Sequence, residues 1–280
     1  MKRVLTATVL IAVVFALVVY GQLWMITLAA ALIAVLAALE YRQLANANAS
    51  GGIPLWWMML GIVVLFIVTF HLPGETLPII SALGLILFIR CGFRSPLDRV
   101  LPVTAAGVFG LLYIGYPFTL LPMLWMREDG TALLIFLMVA VWSGDIAALY
   151  VGRAFGKKKL APRLSPGKTW VGSVASICAS VLAVYAILAL DILLTRRGST
   201  LLHISGPIWI TLILAAILNV AAQLGDLLES ALKRAAGVKD SGNLLPGHGG
   251  ILDRIDALLF AAPVLWFALL LKDAFGSGRF

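Results

Sequence analysis

From Val4 to Leu271 the chain is a succession of apolar stretches, each close to the roughly 20 residues a helix needs to cross a bilayer. Only 12% of its 280 residues are charged and its mean hydropathy is +1.04. A soluble domain carries about 25% charged residues, so most of the solvent for this chain is lipid. The reading is an all-α, polytopic integral membrane protein. Nine transmembrane helices are placed at roughly 4–20, 23–40, 54–71, 77–90, 100–125, 131–150, 170–194, 207–228 and 251–271. Only Gly21-Gln22 separates the first two, so eight spans is the alternative. Met1-Lys2-Arg3 followed by an apolar run imitates a signal peptide; without a small-residue cleavage site it reads as a retained first helix.

The formal charge is +8, yet the basic residues sit in short loops between spans, which argues against a nucleic-acid partner. With the N-terminus inside, 16 of the 21 Lys and Arg fall on the cytoplasmic side, leaving Arg127, Arg196, Arg197, Lys272 and Arg279 outside. That asymmetry sets the expected orientation, a cell (inner) membrane protein with its polar loops in the cytoplasm. Cys91 and Cys178 stand far apart, with neither a disulfide framework nor zinc-ligand spacing.

The two halves differ. Residues 1–130 read as scaffold helices with short loops, in which Glu40 and Arg42 are most simply an interfacial pair, with a role in a site as the lesser alternative. Residues 131–280 carry the longest inside loops, about 151–169 and 229–250, and function is expected there. No repeat of 20 to 50 residues is visible, nor an inverted repeat of broken helices.

The segment SPGKTW, Ser165 to Trp170, contains the Gly-Lys-Thr that closes a phosphate-binding P-loop. A P-loop needs a glycine where this chain has Pro162, and a buried strand ahead of it. The preceding YVGRAFGKKKLAPRL reads as a basic loop and not as a strand, so the Walker reading fails. SPGKTW instead opens the seventh helix, with Trp170 as interfacial anchor and Lys168 as a point charge for phosphate, helped by Ser165 or Thr169. Lys157, Lys158 and Lys159 read as an orientation signal or an attraction for anionic lipid.

Acidic residues come in helical pairs. Asp226 and Glu229 lie three apart at the end of one helix, and Asp253 and Asp256 three apart at the start of the next. Each pair projects from one helix face. Carboxylates at membrane depth are costly unless matched by cations or a metal. Lys233, Arg234, Lys239 and Arg254 supply cations for the plain reading, a salt-bridged rim. The sharper reading is Mg²⁺, which prefers hard oxygens and is held by one or two carboxylates plus substrate phosphates. Asp226 and Asp253 are the first choice of ligands, then Asp256 and Asp145. The PGHGG turn, Pro246 to Gly250, either offers backbone N–H groups to an anion or only permits a tight re-entry; His248 takes a supporting role.

The segment ESALKRAAGVKDSGNLLPGHGGILDRID resembles the signature of the phosphatidate cytidylyltransferases, or CDP-diacylglycerol synthases, through Ser230, Lys233-Arg234, Lys239-Asp240, His248-Gly249-Gly250, Asp253-Arg254 and Asp256. DIAALYVGRAFGKKKLAPRLSPGKTWVG is similar to the same family's pattern around its Ser-Pro-Gly-Lys-Thr. The resemblance implies that CTP and phosphatidate give CDP-diacylglycerol and pyrophosphate with Mg²⁺. It implies too an all-helical membrane enzyme, a homodimer, and a second metal such as K⁺. The chemistry suits the residues: two polyanions must be brought together, which asks for lysines, Lys168 and Lys239 above all, and a metal. The attacking phosphate oxygen is already ionised, so no strong base is required. A transporter would scatter polar groups near the midplane of several helices, whereas these gather at one face. A cytidylyltransferase for another lipid phosphate, such as an ether lipid, would show the same motifs.

Overall fold

The computed structural model describes residues 2–47, 52–195, 207–242 and 249–276. His248, with Pro246 and Gly247 of its turn, lies outside the described residues, as do Arg196, Arg197 and Arg279. The elements are α1 (Lys2–Tyr20), α2 (Leu23–Asn46), α3 (Leu55–His71), α4 (Thr76–Arg94), α5 (Leu97–Gly110), α6 (Tyr116–Trp125), α7 (Gly130–Phe155), β1 (Lys159–Ala161), β2 (Ser165–Thr169), α8 (Trp170–Thr195), α9 (Ile208–Ala235) and α10 (Leu252–Gly276). A widened π turn, Leu111–Gly115, joins α5 to α6, so Leu97–Trp125 runs as one span.

The protein is all-helical but for one hairpin. Among the described residues seven helical spans are long and apolar enough to cross a membrane, and α3 and the apolar part of α1, Ile11–Tyr20, are shorter. Large apolar side chains such as Leu28, Ile67, Leu85, Ile89, Leu182 and Ile213 are exposed, as lipid-facing groups must be. The molecule is thus a multi-pass membrane protein. Several helices outrun their expected ends: α2 continues through Tyr41 and Arg42, α4 through Arg94, and α7 through Arg153. Hydropathy marks the lipid-filled part of a helix, whereas arginine prolongs the helix itself at little cost.

The chain forms two compact units. One comprises Trp24–Pro122 and Ala231–Ile255, with Met1–Arg3. Its core holds Trp57, Met58, Ile62, Leu65, Leu87 and Ile114, all essentially buried. The Tyr41 hydroxyl donates to the Ala106 carbonyl at 2.8 Å and ties α2 to α5. Within this unit the end of α9 is closed by Gly237, at φ 73°, where Gly237 N–H donates to Arg234 O and Val238 N–H to Lys233 O. This paired closure needs a left-handed residue, which glycine supplies without strain.

The other unit comprises Val4–Leu23, Met123–Ser230 and Asp256–Phe280. Here α7 packs along α8, and α7 is buried continuously from Ala132 to Met138. A ladder of polar bonds stitches α7, α8 and α9: Ser173 Oγ donates to Gln223 Oε1, Gln223 Nε2 to Asn219 Oδ1 at 2.7 Å, and Asn219 Nδ2 to the Ala140 carbonyl at 3.3 Å. In lipid the apolar effect between helices is weak, so such bonds help fix their register.

The segment between α7 and α8 corrects the loop reading. Lys159–Ala161 and Ser165–Thr169 pair as an antiparallel ribbon, with Lys159 opposite Thr169 and Ala161 opposite Ser165. SPGKT is therefore a strand, and the helix begins only at Trp170. Pro162 and Pro166 hide the strand signal, but the turn closes through Leu164 N–H to Ala161 O. Thr169 Oγ1 then accepts from Gly172 N–H at 3.1 Å, capping α8. The ribbon has no wider sheet around it, so a P-loop remains excluded.

Candidate active site

Both units carry polar clusters built from the expected residues, and each stands on its own geometry.

In the second unit, β2 delivers Lys168 and α9 delivers Asp226, and Lys168 Nζ lies 2.7 Å from Asp226 Oδ2. Both side chains keep solvent access, so the pair is accessible to a polar ligand. Asp145, one residue after Gly144 on α7, lies within electrostatic range of both charges. Asp256, on the first turns of α10, lies within range of Asp226, Glu229 and Asp145. Glu229 is fully buried and Asp256 nearly so. The crossing that sets these distances is made by Gly225: a Cβ there would lie 2.4 Å from the Asp256 carbonyl oxygen. Absence of that side chain lets α9 touch the backbone of α10 and brings Asp226 and Glu229 alongside Asp256. Lys168 therefore stands by Asp226 and Asp145, and Asp256 lies among Asp226, Glu229 and Asp145.

In the first unit, Asp253 is almost saturated. Its Oδ1 accepts from Lys233 Nζ at 2.5 Å. Its Oδ2 accepts from Ser241 N–H at 3.0 Å, Ser241 Oγ at 3.0 Å and Gly250 N–H at 2.8 Å. The Lys233 and Asp253 side chains are only 12% and 8% exposed, so removing either would break a nearly buried ion pair. Asp253 thus orders the chain around Ser241 and Gly250. Of the remaining signature residues, Ser230 is buried, Lys239, Arg234 and Arg254 are exposed, and the Arg234 guanidinium donates to the Val238 carbonyl at 3.2 Å. Ser165 is half-buried on β2.

Glu40 was not expected here. It is not an interfacial partner of Arg42, whose Nε donates instead to the Ile53 carbonyl at 2.7 Å. Glu40 is 2% exposed and accepts from Ile251 N–H (2.9 Å), Leu252 N–H (2.9 Å) and Ser241 Oγ (2.8 Å). Hydrogen bonds to a charged group contribute about 1.5–3 kcal/mol each, which offsets the cost of burying a carboxylate. Of the turn read from sequence as a possible anion site, Gly250 N–H is engaged by Asp253, and the next two N–H groups, of Ile251 and Leu252, are engaged by Glu40. The glycines make room for this. A Cβ on Gly250 would lie 2.1 Å from Ser241 Oγ and 2.2 Å from Glu40 Oε2, and Gly249 takes φ 79°. Only the buried setting of an acid among Ala34, Ala37 and Ala38 on α2 hinted at Glu40 in the sequence.

Among the described residues no three His, Cys, Asp or Glu side chains converge closely enough to enclose a metal by themselves. The oxygen donors at Asp145, Asp226 and Asp256 nonetheless suit a hard cation whose shell is completed by ligand oxygens and water.

Membrane-length helices carrying acid and base at their ends define a polytopic helical membrane protein with polar chemistry of its own. Residues 1–271 match the model of the cytidylyltransferase family, and the chain belongs to that family. A phosphatidate cytidylyltransferase of Brucella suis biovar 1 (strain 1330) is 43% identical over 160 residues, 56% of this chain and 54% of its own. The protein of the same name from Bacillus subtilis (strain 168) is 40% identical over 146 residues, 52% and 50% of the two chains. The chain thus aligns with about half the length of these two relatives. An uncharacterized protein, YnbB, of Escherichia coli (strain K12) is 31% identical over 261 residues, 92% of this chain and 83% of its own.

Proposed function

We infer that this protein transfers a cytidylyl group from CTP to phosphatidate, forming CDP-diacylglycerol and pyrophosphate on the cytoplasmic face of the cell (inner) membrane. The observation that carries the reading is the Lys168–Asp226 pair set among Asp145, Glu229 and Asp256. A cation beside clustered carboxylates is what two polyanionic reactants and a divalent ion require. Family membership and the names of two relatives support the same reaction.

In this reading Asp226 and Asp256 hold Mg²⁺, with Asp145 in support, and the remaining positions go to phosphate oxygens and water. When bound, Mg²⁺ neutralises charge on the transferring phosphoryl group and its leaving pyrophosphate. A second metal such as K⁺ has carboxylate oxygens to share in the same cluster. Asp253, the other first-choice ligand, spends Oδ2 on the Ser241 and Gly250 N–H groups and a share of the Ser241 hydroxyl; its part is to hold Lys233, Ser241 and Gly250. With Mg²⁺ bound, Asp226 would serve the ion and Lys168 would be available to a phosphate oxygen. Each unit offers its own groups to phosphate: the exposed Lys239, Arg234 and Arg254 in the first, and the hydroxyls of Ser165 and Ser230 in the second. The lipid phosphate oxygen attacks the α-phosphorus of CTP, a new P–O bond forms, and the bond to the pyrophosphate oxygen breaks. No protein group need accept a proton, because the attacking oxygen is already anionic. A homodimer in the membrane belongs to the same reading.

The test is direct. Purified protein given radiolabelled CTP and phosphatidate should form labelled CDP-diacylglycerol, stop with EDTA and resume with excess Mg²⁺. A parallel arm with an ether-lipid phosphate reads the lipid preference. No labelled lipid in either arm would overturn the reaction.

A further inference from the structure

We propose that Glu40, far from the signature residues in sequence, is the positioning residue that holds Ser241 and the first turn of α10 in their working conformation. Its carboxylate does what a bound anion would do at a helix N-terminus: Oε1 takes Ile251 N–H and Oε2 takes Leu252 N–H, both at 2.9 Å. The donors lie 211 and 212 residues further along the chain, so the bond ties α2 to α10. Oε2 also accepts the Ser241 hydroxyl at 2.8 Å, and the same hydroxyl reaches Asp253 Oδ2 at 3.0 Å. A continuous relay therefore runs from Glu40 through Ser241 and Asp253 to Lys233.

The surroundings are shaped to admit this one side chain. A Cβ on Gly242 would lie 2.5 Å from Glu40 Oε1, and one on Gly250 would lie 2.2 Å from Oε2. Two glycines leave room for the carboxylate, and Glu40 with Ser241 is buried at their meeting point. Glutamine in its place would turn an NH₂ toward backbone N–H groups and set donor against donor. The first turn of α10 would then lose its anchor, and with it the placement of the Asp253–Lys233 pair. Glu40 touches no reactant; it acts through these residues.

For its kinetic arm alone, the proposal rests on the cytidylyl-transfer reading. The experiment compares wild type, Glu40→Gln and Arg42→Gln in nanodiscs, by amide hydrogen exchange and by steady-state kinetics in CTP. In Glu40→Gln, exchange at Ile251 and Leu252 should quicken by about 10-fold or more, as expected for the loss of a charged acceptor. The KM for CTP should rise by about 5-fold or more, which partial unfolding would not cause, while exchange along residues 26–38 stays as in wild type. Arg42→Gln should leave both readouts unchanged. Wild-type exchange at 251–252 together with a wild-type KM overturns the proposal. If Glu40→Gln does not fold, Ser241→Ala decides: it should raise the KM by a smaller factor, and an unchanged KM overturns the relay. Absence of CTP turnover in wild type would sink the reaction, not the anchor, which the exchange arm still decides.

Discussion

Lys168 Nζ lies 2.7 Å from Asp226 Oδ2 and joins the only described hairpin to the inner end of α9. The contact makes a phosphate-seeking lysine and a metal-seeking carboxylate each other's resting partner. Lys168→Met and Asp226→Asn should each lower turnover by about 100-fold or more, as loss of a transition-state charge contact does. Because the two act together, the double variant should lose much less than the product of the single losses. Lys158 tests the contrast: its side chain is exposed and only its carbonyl is used, by Trp170 N–H. Lys158→Met should stay within about twofold of wild type in the same CTP assay. Equal damage at 158 and 168 would end the distinction between site and orienting lysines.

Asp253 and Asp256 share a helix but should fail differently. Asp253→Asn breaks a nearly buried ion pair with Lys233 and weakens the acceptor for the Ser241 and Gly250 N–H groups, and should cost about 3 kcal/mol or more of stability, read as a lowered unfolding midpoint in detergent. Asp256→Asn relieves a crowd of carboxylates, so it should fold at least as well as wild type while losing nearly all turnover. A stable, inactive Asp253→Asn with a normal midpoint would move Asp253 back among the metal ligands.

How far the sequence spoke depends on the range of the interaction. The helices were legible because lipid demands long apolar runs, and each expected span meets a helical element in the structure. Spacing and local motif single out Asp226, Asp253, Asp256 and Lys168, and the structure pairs Lys168 with Asp226 and Asp253 with Lys233. The β1–β2 ribbon was not, since its strands are short, proline-flanked and paired only with each other. Nor was Glu40, whose partners lie some 200 residues away and are mostly backbone groups, which leave no side-chain signal. The bonds to Gly250, Ile251 and Leu252 were likewise hidden: a glycine-rich turn looks the same whether its donors meet a ligand or the protein's own carboxylates.

Gly225 offers a test of the helix crossing itself. An alanine Cβ would sit 2.4 Å from the Asp256 carbonyl oxygen, where only backbone movement gives relief. Gly225→Ala should cost about 1–3 kcal/mol by overpacking and reduce turnover together with it, because the carboxylates on α9 and α10 are spread apart. Gly92→Ala on α4, where a Cβ meets nothing within 4 Å, should change neither. Full activity in Gly225→Ala would show that the reaction does not depend on this approach.

The proposed reaction predicts a side of the membrane, because CTP is a cytoplasmic reactant. Lys168 precedes α8 and Lys233 ends α9, so two crossings are expected between them and both are expected to face the cytoplasm. The charge count agrees, with 16 of 21 Lys and Arg assigned to that side. Cysteine labelling reads this directly. Cys178 is exposed and Cys91 buried, so both are first removed. In that background Val238→Cys, at an exposed position after α9, should resist an impermeant thiol reagent in intact cells and react once they are permeabilised. Glu128→Cys, exposed in the turn before α7, should react in intact cells, as should Ser199→Cys in the α8–α9 connection, a residue outside the described ones. Labelling of Val238→Cys from outside would place Lys233 and its neighbours away from CTP, and cytidylyl transfer by this site would then be impossible.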